Sequence, residues 1–204
     1  MTTAVPAPVV PAPVVMDADT VRRHAGTLLA LAWQAVRLAA RGGGKLTVQP
    51  ADYDEVLRQP GAAFVTLKRR GELRGCIGSP MAWQPLIEDV ADNAHGAAMR
   101  DPRFSPLQEE ELEGLDLSVS VLTPPQPLPA DSEAELLAKL RPRVDGLIIE
   151  DHGRRALFLP AVWESLPDPA RFLTHLRLKA GLPPDHWSPG FKAMVFQAVE
   201  IGTE

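Results

Sequence analysis

Proline constrains this chain more than any other residue. Each proline locks φ near about −65° and lacks an N–H donor, so it ends or kinks helices and is kept to the edges of sheets. The sequence holds 21 prolines in 204 residues, about twice the usual ~5%. Four of them, Pro6, Pro8, Pro11 and Pro13, fall in the opening MTTAVPAPVVPAPVVM, which repeats VPAPVV and has no charge before Asp17. That stretch is unable to form a helix and reads as an extended, disordered tail over residues 1–17, outside a folded domain of residues 18–204. A secretory leader needs a basic start and an unbroken apolar run, and both are missing. Met16 stands as a candidate internal start. Later prolines, among them Pro80, Pro102, Pro106, Pro125, Pro160 and Pro169, fall between patterned segments and punctuate the domain.

Between these breaks the periodicities alternate. A helix is expected from Thr20 to Arg41, with Leu28, Leu31, Ala32, Ala35 and Leu38 as its apolar stripe and Gly42-Gly43-Gly44 as its stop. Ala63–Lys68 and Glu72–Ile77 form a predicted hairpin about Arg69-Arg70-Gly71. Trp83 to Arg100 reads as a helix through Leu86, Val90, Ala94 and Ala98, ended by Asp101-Pro102. Ser105-Pro106-Leu107-Gln108 predicts another helix, closing at Gly114. Leu115–Leu122 alternates apolar residues with Asp116, Ser118 and Ser120, the pattern of a half-buried strand. Ser132-x-x-Glu135 opens a short helix. A second hairpin is expected over 144–159, then a helix from Asp168-Pro169 to Gly181 and a last strand from Lys192 to Glu200. Hairpins separated by helices, with no long polar linker, predict one α+β domain.

Composition removes several functions. One cysteine makes no internal disulfide and cannot furnish a multi-thiolate zinc site. A net charge of −5 counts against nucleic-acid binding by bulk charge. No apolar run reaches the about 18 residues of a membrane span, so no membrane role is expected. RGGGKL at 41–46 lacks the Walker glycine at position 39 and a hydroxyl residue after Lys45; GxSxG and GxGxxG are absent. No cofactor is evident.

The chemistry concentrates in Leu73-Arg74-Gly75-Cys76-Ile77-Gly78. Gly75 and Gly78 allow a backbone or a ligand to come close. By strand alternation Arg74 and Cys76 share a face, with Lys68, Arg69 and Arg70 across the hairpin turn; cations beside a thiol favour its thiolate. The segment holds either a reactive Cys76 with an anion site at Arg74, or a buried thiol serving as a small hydrophobe. Asp101-Pro102-Arg103-Phe104 is either a structural turn, with Asp101 accepting from backbone amides, or a place where Arg103 reaches a ligand. Glu88, Asp92 and His95 make a polar helical stripe of metal-ligand types, but a solvated helix face explains it more simply, and no metal is assigned.

Five ordered segments resemble the AMMECR1 domain family: LRGCIG at 73–78, NAHGAAMRDPRF at 93–104, LSVSVLTPP at 117–125, VDGLIIEDHGRRALFLPAVW at 144–163 and KAGLPPDHW at 179–187. The likeness is to its bacterial branch, the AmmeMemoRadiSam system protein A type, and covers residues 20–202. It implies an antiparallel sheet flanked by helices, a smaller subdomain packed beside it, and an intracellular protein. It supplies no reaction, because none is established for the family. Bacterial members are encoded with a Memo-like protein and a radical SAM protein, which implies a shared pathway or complex. LRGCIG maps onto Leu73–Gly78 and DPRF onto Asp101–Phe104. Two positions depart: His95 stands where the family does not require histidine, and Ala161 stands where glutamine is expected.

Three functions follow. In the first, the surface around LRGCIG, with Arg74, Gly75, Gly78, Asp101 and Arg103, binds a small anionic ligand or a partner protein. In the second, Cys76 is a nucleophile or redox thiol acting on an anionic substrate. The third, weaker one is RNA-directed modification through Lys68, Arg69, Arg70, Arg74 and Arg103, which the net charge disfavours. The first is preferred, since the sequence places no base beside Cys76.

Overall fold

Leucines and valines alternating with small polar residues build the first sheet. The structure, a computed structural model, describes residues 16–202. Strand β1 (Pro60–Arg69) lies between β2 (Glu72–Gly78) and β4 (Leu115–Leu122), and β9 (Ala198–Gly202) pairs with β4. The two-residue β3 (Gln84–Pro85) adds to the start of β1, and every pairing is antiparallel. Ala63, Val65 and Leu67 of β1 and Leu117, Val119 and Val121 of β4 are buried on one face. Helices α2 (Ala25–Ala40) and α3 (Leu86–Met99) cover that face through Leu28, Ala32, Val36, Val90, Ala94 and Ala97. Each buried valine or leucine contributes roughly 1.5–3 kcal/mol. The opposite face carries Thr66, Cys76, Ser118 and Ser120, all half-buried.

A second sheet has the order β5 (Gln126–Pro127), β8 (Lys192–Phe196), β6 (Gly146–Asp151) and β7 (Arg154–Phe158). Helices α4 (Glu133–Lys139) and α5 (Pro169–Lys179) pack on it through Leu136, Phe172, Leu173 and Leu176, giving a second core. The chain passes between the sheets at two adjacent points. Thr123 N donates to the Gln197 carbonyl at 2.8 Å, and Gln197 N to Thr123 Oγ1 at 2.9 Å. The two sheets then meet through Ala62, Leu122, Ile148 and Phe196. This is the expected α+β architecture, with the smaller subdomain inserted between β4 and β9.

Several expectations shift in detail. The first helix is two, α1 (Ala18–Arg23) and α2, broken at His24, whose N–H is shared between the Thr20 and Val21 carbonyls at 3.2 Å each. Its glycine stop holds: Gly42 has φ 73°, with Gly42 N bonded to Ala39 O and Gly43 N to Leu38 O. Helix α3 starts at Leu86, because Gln84 and Pro85 are drawn into pairing with β1. The helix expected after Ser105 is only a 3-10 turn at Glu109–Leu112, capped by Gln108. Buried Leu107 gives its amide to Ala98 O at 2.8 Å, which holds the preceding segment out of a helix. The single last strand divides into β8 and β9 at Gln197. Residues 1–15 of the expected tail lie outside the described residues; Met16 is buried, and the Asp17 side chain caps α1.

Candidate functional site

Strand β2 is an edge strand, so its outer backbone needs partners from elsewhere. Its register pairs Gly75 with Leu67 and Leu73 with Lys68, which makes Arg74 the extra residue of a β-bulge. Alternation does not run through a bulge, so it no longer assigns Arg74 to the face of Cys76. The Arg74 guanidinium grips Glu111, from Nε and Nη2 at 2.9 Å each, and Nη2 also donates to the Ser105 carbonyl at 3.0 Å. Those bonds are the main reason the Glu111 carboxyl is pulled down to about 2. Gly75 faces α3 so closely that a Cβ there would overlap the Ala97 carbonyl oxygen. Gly78 leaves room for the Phe64 ring in the same way.

Asp101 follows α3 and is buried. Its Oδ2 accepts from Cys76 N at 2.8 Å and Arg103 Nη2 at 2.6 Å, and its Oδ1 from Arg103 N at 3.1 Å and Nε at 2.9 Å. Hydrogen bonds from the Arg103 side chain, then from the Cys76 and Arg103 amides, hold this carboxyl far below the usual carboxylate range. Phe104 completes the turn, its ring centroid 5.8 Å from the Arg74 guanidinium carbon and 5.5 Å from that of Arg103. These bonds support the structural-turn reading of DPRF: the turn seals the outer edge of β2.

A second carboxylate, missed in the sequence, pins the exit of the same strand. Asp89, in the first turn of α3, is fully buried. It accepts from Ser79 Oγ at 2.6 Å, Ala63 N at 2.8 Å, Asn93 Nδ2 at 2.9 Å and Gln84 Nε2 at 3.2 Å. Burial pushes its carboxyl up, against the pull of the Ser79, Ala63 and Gln84 bonds. The available signal was the i, i+4 spacing of Asp89 and Asn93 beside the apolar stripe; the outer stripe Glu88, Asp92, His95 drew notice instead. Of that stripe, Asp92 pairs with Lys45 at 2.8 Å, while His95 has its Nδ1 buried without a partner among the described residues. Desolvation, then the Arg100 and Lys45 charges, lower the His95 pKa. Among the described residues no three His, Cys, Asp or Glu are grouped to hold a metal.

Cys76 itself is half-buried, on the face away from α2 and α3, and its Sγ accepts from the Thr66 hydroxyl at 3.4 Å. The structure thus brings Arg74, Cys76, Asp101 and Arg103 together, but as a clamp. Arg103 is spent on Asp101 and Arg74 on Glu111, with Arg69 3.9 Å from Glu111. The basic group invoked for RNA keeps only Lys68 and Arg70 as exposed cations outside these pairs. Among the described residues no helix is long and apolar enough to cross a membrane.

The AMMECR1 family profile matches residues 29–201. A protein of Methanothermobacter thermautotrophicus is 43% identical over 183 residues, covering 87% of this chain and 93% of its own. Protein MJ0810 of Methanocaldococcus jannaschii is 41% identical over 171 residues, covering 78% and 82%. The crystal structure of uncharacterized protein PH0010 from Pyrococcus horikoshii superposes with a TM-score of 0.69 at 35% identity, over 87% of this chain and 90% of that one. None of these names states an activity. With the family profile matched across nearly the whole described chain and relatives of about 40% identity over most of both chains, this protein belongs to the AMMECR1 family.

Proposed function

We propose that this protein is a binding component, which presents the part of the outer face of β1, β2 and β4 around Thr66 and Cys76 to a ligand or partner protein. The observation that carries this reading is the fate of the charges around LRGCIG. Arg74, Asp101 and Arg103 are consumed in holding β2 and its bulge in place, so the motif builds a rigid surface rather than a free anion site. Thr66, Cys76, Ser118 and Ser120 are what that surface offers, small polar groups on a preorganised sheet. In this reading the role is cytoplasmic and lies in a pathway or complex with a Memo-like protein and a radical SAM protein, the setting that the resemblance implies. That association belongs to the bacterial branch, whereas the relatives compared above are archaeal.

The test is binding of the purified full chain to those two proteins by calorimetry. Thr66→Arg and Ser118→Arg, each placing a large charged group on the face, are expected to abolish binding while the thermal midpoint shows a folded protein. Cys76→Ser is expected to retain it. Failure of both partners to bind, or wild-type binding by both arginine variants, would sink the proposal. A Cys76 thiol that titrates well below the free value of about 8.5 and is consumed by substrate-like electrophiles would transfer the site to the nucleophile reading instead.

A further inference from the structure

A pocket of about 330 Å³ opens where the two sheets part, with walls from both. Its floor is Ala62, Leu122, Ile148 and Phe196, the buried residues that join the sheets. Its exposed rim includes Pro60, Pro80, Pro124 and Pro125, which have no amide hydrogen to offer a ligand. Thr123 is already engaged with Gln197 through both its amide and its hydroxyl. Arg155 is the one charged residue among those lining the pocket. On the same loop as Pro80, Met81 and Trp83 are 56% and 69% exposed and extend the apolar surface outward.

Arg155 differs from the arginines that brace the fold. Arg74, Arg103, Arg141 and Arg177 are each hydrogen-bonded to a carboxylate at 2.9 Å or less. The carboxylate nearest Arg155, Glu150, stands 3.9 Å away with both groups well exposed, beyond hydrogen-bonding range. Its guanidinium therefore keeps its donors for a planar anion at the pocket mouth.

We propose that this pocket is a small-molecule site for an apolar body carrying one anionic group, a carboxylate or its equivalent, received by Arg155. The volume lies at the small end of the about 300–1,000 Å³ typical of ligand pockets, and an apolar lining with one convergent polar group is their usual make-up. A single cation with no amide-rich loop suits one negative charge and not a nucleotide's phosphates. The site is separate from the β2 surface. Ala62, Phe64 and Thr66 are successive positions on one face of β1, so the Phe64 ring stands between the pocket and Cys76.

The test uses anilinonaphthalene sulfonate, an aromatic body with one anionic group, added to the full chain under native conditions. Decanoate, decanol and decyltrimethylammonium serve as competitors. Expected are saturable one-site fluorescence and displacement by decanoate about 10-fold better than by decanol, the worth of one charge-assisted contact, with none by the cation. Arg155→Gln, at an exposed position, is expected to erase the preference for decanoate and leave decanol unchanged. Ala82→Trp, at an exposed lining residue, is expected to block dye and decanoate alike, with circular dichroism and thermal midpoint confirming the fold of both variants. No saturable binding up to millimolar dye, equal displacement by decanoate and decanol, unchanged decanoate affinity in Arg155→Gln, or full binding by Ala82→Trp would each overturn the proposal.

Discussion

Replacing Asp101 with alanine removes the acceptor that holds the middle of β2. The Cys76 amide at 2.8 Å and the Arg103 amide at 3.1 Å both lose a charged partner. A hydrogen bond to a charged group contributes about 1.5–3 kcal/mol, so two are worth about 3–6 kcal/mol. Water can replace part of this at a half-buried sheet edge, and about 3 kcal/mol is expected. The Arg103 side chain is 53% exposed and rehydrates in the variant, so the ion pair itself adds little. In urea, with a slope near ~2 kcal/mol/M, the midpoint should fall by about 1.5 M at unchanged slope. Hydrogen exchange should show the Cys76 amide losing protection. Because the folded pKa of Asp101 lies below its ordinary value of 3.8, its contribution is complete above that value and is lost as pH falls through the folded one. The deficit of Asp101→Ala should therefore shrink in acid. Arg103→Ala should cost far less. Equal losses from the two variants would show that the ion pair holds the strand and the backbone bonds do not, and the reasoning would fail.

Two further variants probe the same strand. Gly75→Ala drives a Cβ into the Ala97 carbonyl and is expected to cost about 1–3 kcal/mol or more in urea unfolding, whereas Gly26→Ala, in an open part of α2, should gain about 0.5–1 kcal/mol. A Gly75→Ala protein as stable as wild type would show that α3 does not press on β2. Glu111→Gln removes a carboxyl held at about 2 against an ordinary 4.5. Its contribution is present above 4.5 and is lost as pH falls towards 2, so wild type and variant should differ at neutral pH and converge between those values; a difference constant with pH would contradict the Arg74 pairing.

Much of the local structure was legible because burial is one-sided. In β4 the buried Leu115, Leu117, Val119 and Val121 alternate with exposed Asp116 and half-buried Ser118 and Ser120, and the predicted bounds match. Ser132 and Asp168 cap their helices as their spacing indicates, since a cap involves neighbours within one turn. LRGCIG and DPRF were both recognised as the distinctive segments. Their mutual use was not, because the partners lie far apart in sequence: Arg74 and Glu111 by 37 positions, Cys76 and Asp101 by 25. The bulge at Arg74 was hidden too, because a register shift depends on the opposing strand.

By itself, then, the sequence determined most of the elements, the α+β class, and the segment around Cys76 as the one with distinctive chemistry. These follow from periodicity, capping and chain stiffness, which act over a few residues. Tertiary structure alone decided that the run from Lys192 to Glu200 changes sheets at Gln197, that Asp89 and Asp101 hold the exit and the outer edge of β2, and that Arg155, without a hydrogen bond to a carboxylate, lies beside an apolar pocket. Each of these depends on which distant group arrives to satisfy a backbone amide or a charge. That choice is made by packing, after the local pattern has already been obeyed.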